Sequence, residues 1–210
     1  NAGVLTPDQR AAVTDPVTRN LLQYIPQGNT TDANGQARLL ASGTAPVKID
    51  QYTIDVRHNL AASDDLHGYF AFQKDSRIEP NAQLNTIPGF GDTRGGKRQV
   101  MTFNETHIFN RALVNEARVG YNRIKINFDP NVKVNPQDLG INDGVTTPIG
   151  IPQITITSLG LNFGGPANFP QGRTVTTWVT SDTATYLRGN HIIKFGGEFR
   201  RASVASFVND

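Results

Sequence analysis

The side chains able to do chemistry are few and scattered. Four histidines occur, His58, His67, His107 and His191, none within four residues of another. No HExxH or paired spacing is present, so a zinc site is unsupported. His58 and His67 can be brought face to face across a hairpin, although ordinary strand histidines explain them as well. Asp64 with Asp65, and Asp138 with Asp143, offer carboxylates for acid–base work or calcium, but turn formation accounts for all four. No GxSxG is present, so the usual serine nucleophile has no elbow to sit on. GDTRGGK at 91–97 has glycines and a lysine without phosphate-loop spacing or a strand-to-helix setting. Cysteine is absent, which excludes disulfides, thiolate metal sites and cysteine nucleophiles. The expectation is a protein without catalysis, cofactor or bound metal. A secreted β-rich hydrolase, in particular, finds neither triad nor metal site here.

Two further motifs dissolve on inspection. GGEF at 196–199 matches the short signature of diguanylate cyclases, but it lacks the further acidic residue and the α/β surroundings. A strand glycine pair packed beside an aromatic is the simpler reading. Asn29-Thr30-Thr31 and Asn104-Glu105-Thr106 fit a glycosylation sequon, which by itself carries no weight.

With no catalytic constellation, the elements themselves carry the information. The chain has 210 residues, 37% apolar and 18% charged, with a formal net charge of +2. That charge is too small to argue for a nucleic-acid partner. No apolar run reaches the roughly 18 residues of a membrane helix, which excludes helical spans and says nothing against strands. The stretch 99–128, QVMTFNETHIFNRALVNEARVGYNRIKINF, reads as two long strands turning at Asn110 to Ala112. Its second strand places Leu113, Ala117, Val119 and Tyr121 on one face, broken by Asn115. Glu116, Arg118 and Asn122 occupy the other, with Gly120 between them. The same plan repeats at 51–74, where Tyr52, Ile54 and Val56 alternate with Thr53, Asp55 and Arg57. It repeats again at 174–204, where Ile193, Phe195 and Phe199 oppose Lys194, Glu198 and Arg200.

Between the hairpins lie long connections at 75–98 and 129–172, the second with its own apolar piece at 151–161. Residues 1–48 read as a loop segment in which Asp15 and Pro16 start one short helix ending before Pro26. The chain thus divides into a loop segment, 1–48, and a partial barrel, 49–210. Short and long connections alternate, as the periplasmic turns and extracellular loops of an outer-membrane barrel do. The fold class expected is all-β: an antiparallel meander of about six long strands, an arc of a transmembrane β-barrel with long extracellular loops. Since the smallest spanning barrels have about eight strands, the arc needs the remainder of a parent barrel. The opening residues read as mid-domain loop, so the expectation is a fragment or processed piece of a longer protein.

Two residue sets bear on binding. Asp55, Arg57, Glu116, Arg118, Glu198 and Arg200 are expected to face the lumen, where they contact a plug, a ligand or water. Phe90, Phe163, Phe169 and Trp178 are loop aromatics able to stack on a sugar or seat a peptide side chain. Trp178 equally suits an interfacial aromatic belt.

The segments ETHIFNRALVNEARVGYNR (105–123) and HIIKFGGEFRR (191–201) resemble TonB-dependent outer-membrane receptors of the Oar-like, acidobacterial and myxobacterial type. So does their order after QYTIDVRHNL (51–60) and IPGFGD (87–92). The resemblance spans roughly residues 45–201. It implies a barrel of about 22 strands with a plug in its lumen, taking up nutrients with energy relayed by TonB. It implies residence in the bacterial outer membrane with loops at the cell surface, and outer-membrane lipid as a partner. An unidentified oligosaccharide or peptide is the ligand. TonB is engaged only through parts outside this chain. The alternative function is a β-rich piece that self-associates through its open strand edges into a structural oligomer or fibre.

Overall fold

The computed structural model describes residues 2–81, 85–145, 149–165 and 168–208. Asn1, Asn209 and Asp210 lie outside them, as do parts of the two long connections. Short elements come first: strand β1 (Ala2–Gly3), helices α1 (Pro7–Ala11) and α2 (Pro16–Leu22), and strands β2 (Thr30–Thr31) and β3 (Ala37–Leu39). The long strands follow as β4 (Val47–Ala61), β5 (Asp64–Ile78), β6 (Asp92–Asn110) and β7 (Leu113–Pro130). A small hairpin, β8 (Ile154–Ile156) and β9 (Leu161–Phe163), precedes the last pair, β10 (Gln171–Arg188) and β11 (His191–Val208).

The six long strands form one sheet in sequence order, every neighbour antiparallel. This is the meander expected from the alternating hairpins. The turns fall at 62–63, 111–112 and 189–190, as the sequence places them. Gly189 takes φ 58° in the last, a conformation that favours glycine in a two-residue hairpin loop. Bulges beside Asn59 and before Asn110 take up an odd residue ahead of the first two turns. The strands are longer than expected. Asp92 to Gly96, assigned to a loop by their glycines, instead extend β6. Glycine lowers strand propensity, but here pairing on both sides with β5 and β7 decides.

The larger correction concerns the loops. Residues 1–48 were expected to be surface loop with one short helix. In the structure the described part contributes to a packed layer with the long connections 79–91 and 131–170. Val4, Leu22, Ile25, Leu39, Ile87, Phe90, Leu139, Ile151, Leu161 and Phe163 form one buried cluster. The division at residue 48 therefore cuts through a packing unit. Local chemistry prepares these pieces. Thr6 and Gln9 cap α1 reciprocally, and Asp15 caps α2 through the Thr18 amide at 2.7 Å. The Arg10 guanidinium then donates to the Leu22 and Ile25 carbonyls at 2.7 and 2.8 Å, satisfying acceptors at the end of α2. The apolar piece at 151–161 becomes the β8–β9 hairpin, joined to residue 86 by a Thr86 amide to Asn162 carbonyl bond of 2.8 Å. At Gly91 the chain passes so near Glu79 that a Cβ would lie 1.7 Å from its carbonyl oxygen. Only glycine fits there.

Two outcomes follow from this layer. Phe163 is 1% exposed and meets Phe90 edge-on with centroids 5.6 Å apart. Phe163→Ala is expected to cost the loop layer about 3–5 kcal/mol, read as faster amide exchange in 131–163 while the long strands stay protected. Asp32 in the β2–β3 turn has its carboxyl held below the ordinary 3.8, first by the Arg38 guanidinium and then by the Asn34 and Gln36 amides. A depressed folded pKa contributes stability above the unfolded value and loses it as pH falls through the folded one. Protection of the Gln36 amide, measured against its intrinsic exchange rate at each pH, is expected to fall on acidification below about pH 4, and Asp32→Asn is expected to abolish that dependence.

Candidate functional site

Alternation along each strand gives the sheet two unlike faces. Register carries one face across all six strands in the row Ile54, Phe70, Met101, Tyr121, Trp178 and Arg201. The next row toward the turns adds Val56, Phe103, Val119 and Phe199. Ile54, Met101, Val119, Trp178 and Phe199 are 44–67% exposed. An apolar surface of this extent is too large for water and demands a covering phase.

The apolar run does not stay level with the hydrogen-bonded rows. On β4 it is Tyr52, Ile54 and Val56, centred on Ile54, whose in-row counterpart on β11 is Arg201. On β11 it is Ile193, Phe195 and Phe199, centred about five residues nearer the turn. A slide of about one residue per strand, with ~3.3 Å rise and ~4.8 Å strand spacing, corresponds to a tilt of about 35°. Spanning barrels tilt their strands by about 35–45°. Two carboxylates interrupt the band, Glu105 and Asp182, on either side of Ala117. Asp182 is held by the Asn115 amide at 2.9 Å.

The opposite face is polar. One row runs Arg57, His67, Asn104, Arg118, Ser181 and Glu198. Arg57 Nε meets both oxygens of Asp65 at 3.0 and 2.8 Å. His67 Nε2 lies 3.0 Å from Asp55, and its Nδ1 lies 3.4 Å from the Asn104 amide. Arg118 Nε donates to Asn104 Oδ1 at 2.6 Å. Arg200 reaches Glu198 at 3.0 Å. The chain of contacts crosses β4 to β7 and borders a concavity of about 440 Å³. All six charges expected on the lumen side, Asp55, Arg57, Glu116, Arg118, Glu198 and Arg200, stand on this face. Glu116 makes no ion pair with a described residue there.

Sequence reasoning named His67, Asp65 and Asn104 in other connections and missed that they link those charges. The turn at 62–63 alone, with Ala61 opposite Asp64, would set His58 opposite His67; the bulge between Asn59 and Ala61 shifts the pairing by one residue and sets Arg57 there instead. The same register corrects the idea that His58 and His67 face each other: His58 lies opposite Leu66, on the apolar face. Another grouping, Asp64, Glu105 and His107, has ligand atoms within 4.8 Å of one another. His107 there is engaged by Asp64 and packs edge-on against Phe109. A histidine–carboxylate pair accounts for it.

The loop aromatics separate. Phe90 (4% exposed) and Phe163 belong to the loop core, so neither offers a ring face to a sugar or peptide. Phe169 is buried against Phe128, with centroids 5.7 Å apart. All three were candidates because loops usually run over the surface; here a loop core buries Phe90 and Phe163, while Phe169 packs on the strand residue Phe128. Trp178 alone is open. It lies on the apolar face, 4.6 Å from Tyr121 and in register with Arg201, near the loop-side margin of the band.

A tilted antiparallel meander, apolar on one face and charged on the other, defines a membrane-spanning β-barrel wall. Comparison with known families agrees: the model of the outer membrane beta barrel domain matches residues 3–210. The chain belongs to that family, and its place is the outer membrane. No curated protein matches it. Val119→Lys is expected to cost roughly 2–4 kcal/mol of stability in a bilayer and Asn122→Lys much less, measured by denaturant titration in lipid vesicles. Equal costs would mean that the two faces are wrongly assigned.

Proposed function

We propose that this chain forms part of the wall of a TonB-dependent receptor that takes up a nutrient, an oligosaccharide or peptide, without catalysis. The observation that carries the reading is the polar row from Arg57 to Glu198. A closed barrel holding only water has no need for charged and amide side chains linked across four strands, from Arg57–Asp65 and Asp55–His67 to Asn104–Arg118. A lumen that docks a plug, or passes a polar ligand along it, does. The resemblance of residues 105–123 and 191–201 to Oar-like receptors supports the same reading. So does the packed loop layer, which gives long surface loops a fixed shape at the mouth. The remainder of the parent barrel pairs with the free edges of β4 and β11, and TonB acts through segments other than these.

Those two edges also favour a second reading. Each offers 15 or more residues of backbone to a partner, and edges of that length recruit strands of any origin. Assembly of copies into an oligomer or fibre is the alternative. Sedimentation of the purified chain with and without detergent separates the two. The receptor-wall reading expects a soluble species only in detergent or lipid vesicles. A defined, protease-resistant particle in plain buffer would make assembly the function.

A further inference from the structure

The apolar face ends toward the loops in a row of lysines. Lys74, Lys97 and Lys125 stand in register on β5, β6 and β7. They share the parity of Phe70 and Phe72, Met101 and Phe103, and Val119 and Tyr121, so they point to the membrane side. All three are exposed, and none makes an ion pair with a described residue. Asp50, at the β4 end of the row, pairs with Lys48 at 3.7 Å. The neighbouring carboxylate of Asp75 faces the lumen side, where Arg98 matches it. Between the lysines the surface dips into a notch of about 210 Å³, bordered by Ser76, Gly95 and Asn127, with the paired Asp75 and Gly96 also lining it. Gly95 forms its floor, and nothing lies within 4 Å of where a Cβ would stand.

The height of this row can be read from the band. Letting the band's centre slide by about one residue per strand from Ile54 puts the lysines five to seven residues above it. At ~3.3 Å per residue and a tilt of about 35°, that is about 14–19 Å, just beyond the half-height of about 12 Å of a spanning barrel's apolar zone. Arg123 and Arg201 point the same way between the lysines and the band. On this face Asp64, Glu105 and Asp182 lie on the turn side of that row, whereas Asp50 ends the row paired with Lys48 and Asp129 lies beyond it on the loop side, 3.7 Å from Lys133. Cations without partners at headgroup depth, around a hollow with hydroxyl and amide groups on its rim, are complementary to phosphate.

We infer that Lys74, Lys97 and Lys125, with the notch over Gly95, form a binding site on the outside of the barrel for the phosphate of an outer-leaflet lipid headgroup. The inference rests on the wall reading and on the long connections facing outward. The lipid docks with its chains along Phe72, Met101 and Tyr121 and its phosphate in the notch. Ser76 and Asn127 are placed to donate the remaining hydrogen bonds.

The test uses the full chain and phosphatidylcholine vesicles carrying either bisphosphorylated lipid A or its dephosphorylated form. Retention on the phosphorylated vesicles is expected to be about tenfold higher or more, and inorganic phosphate at equal concentration is not expected to compete. Lys74→Gln with Lys97→Gln is expected to remove the preference. Gly95→Leu, which fills the notch at constant charge, is expected to lower it. Arg111→Gln with Arg188→Gln, the same charge change at the turns, is expected to leave it intact. Equal retention on both vesicles overturns the site while leaving the wall reading standing. So does an equal loss in the turn variant, or displacement by free phosphate. Failure to associate with either vesicle overturns the wall reading, and the site falls with it.

Discussion

Hydrocarbon offers no partner to a peptide group, and that constraint shapes everything else in this molecule. An unpaired amide or carbonyl in the bilayer costs several kcal/mol. The meander meets the demand by pairing β5, β6, β7 and β10 on both sides along most of their length. Once the backbone is satisfied by neighbouring strands, side chains no longer need a protein core beneath them. Val56, Phe103, Val119 and Phe199 can stay exposed because lipid, and not protein, removes them from water. The opposite face is then released for charge, and the Arg57–Asp65 and Asp55–His67–Asn104–Arg118 contacts occupy it.

The protein core consequently lies outside the sheet. Nearly all the fully buried large side chains, among them Phe163, Ile87, Ile151 and Leu161, belong to the connecting segments. Two ways of removing apolar surface from water coexist in one chain. The strands rely on a lipid phase, and the loops rely on one another. The junction between them is polar and specific. Asp92, fully buried at the start of β6, holds Arg94, whose guanidinium also lies 5.5 Å from the Phe128 ring centre. Asn131 donates to the Glu79 carbonyl at 2.8 Å beside it.

The sheet was legible in the sequence because its signals are local. Period-2 alternation in Tyr52 to Arg57 and in Leu113 to Asn122 states which residues share a face, and short turns state which strands pair. The helix at Pro16 was equally visible, since an Asp–Pro start is a two-residue signal. What could not be read is whatever depends on contacts distant in sequence. Phe90 and Phe163 looked like exposed loop aromatics because the partners that bury them come from segments more than 70 positions apart. Asp92 to Gly96 looked like loop because pairing with β5 and β7 outweighs the glycines. The polar row was half legible: its charges follow from parity, whereas His67 and Asn104 enter only through register.

The slide of the apolar run across the rows has a further meaning. It gives the sheet a phase. A strand added beside β4 must carry its apolar triplet about one position nearer the loops than its in-row neighbours do, and a strand added beside β11 one position nearer the turns. A flanking strand out of phase would put a cation into hydrocarbon or leave a bare aromatic at the mouth. The six strands therefore hold, in their own numbering, the pitch of the ring that completes them, and they reject neighbours that cannot continue it.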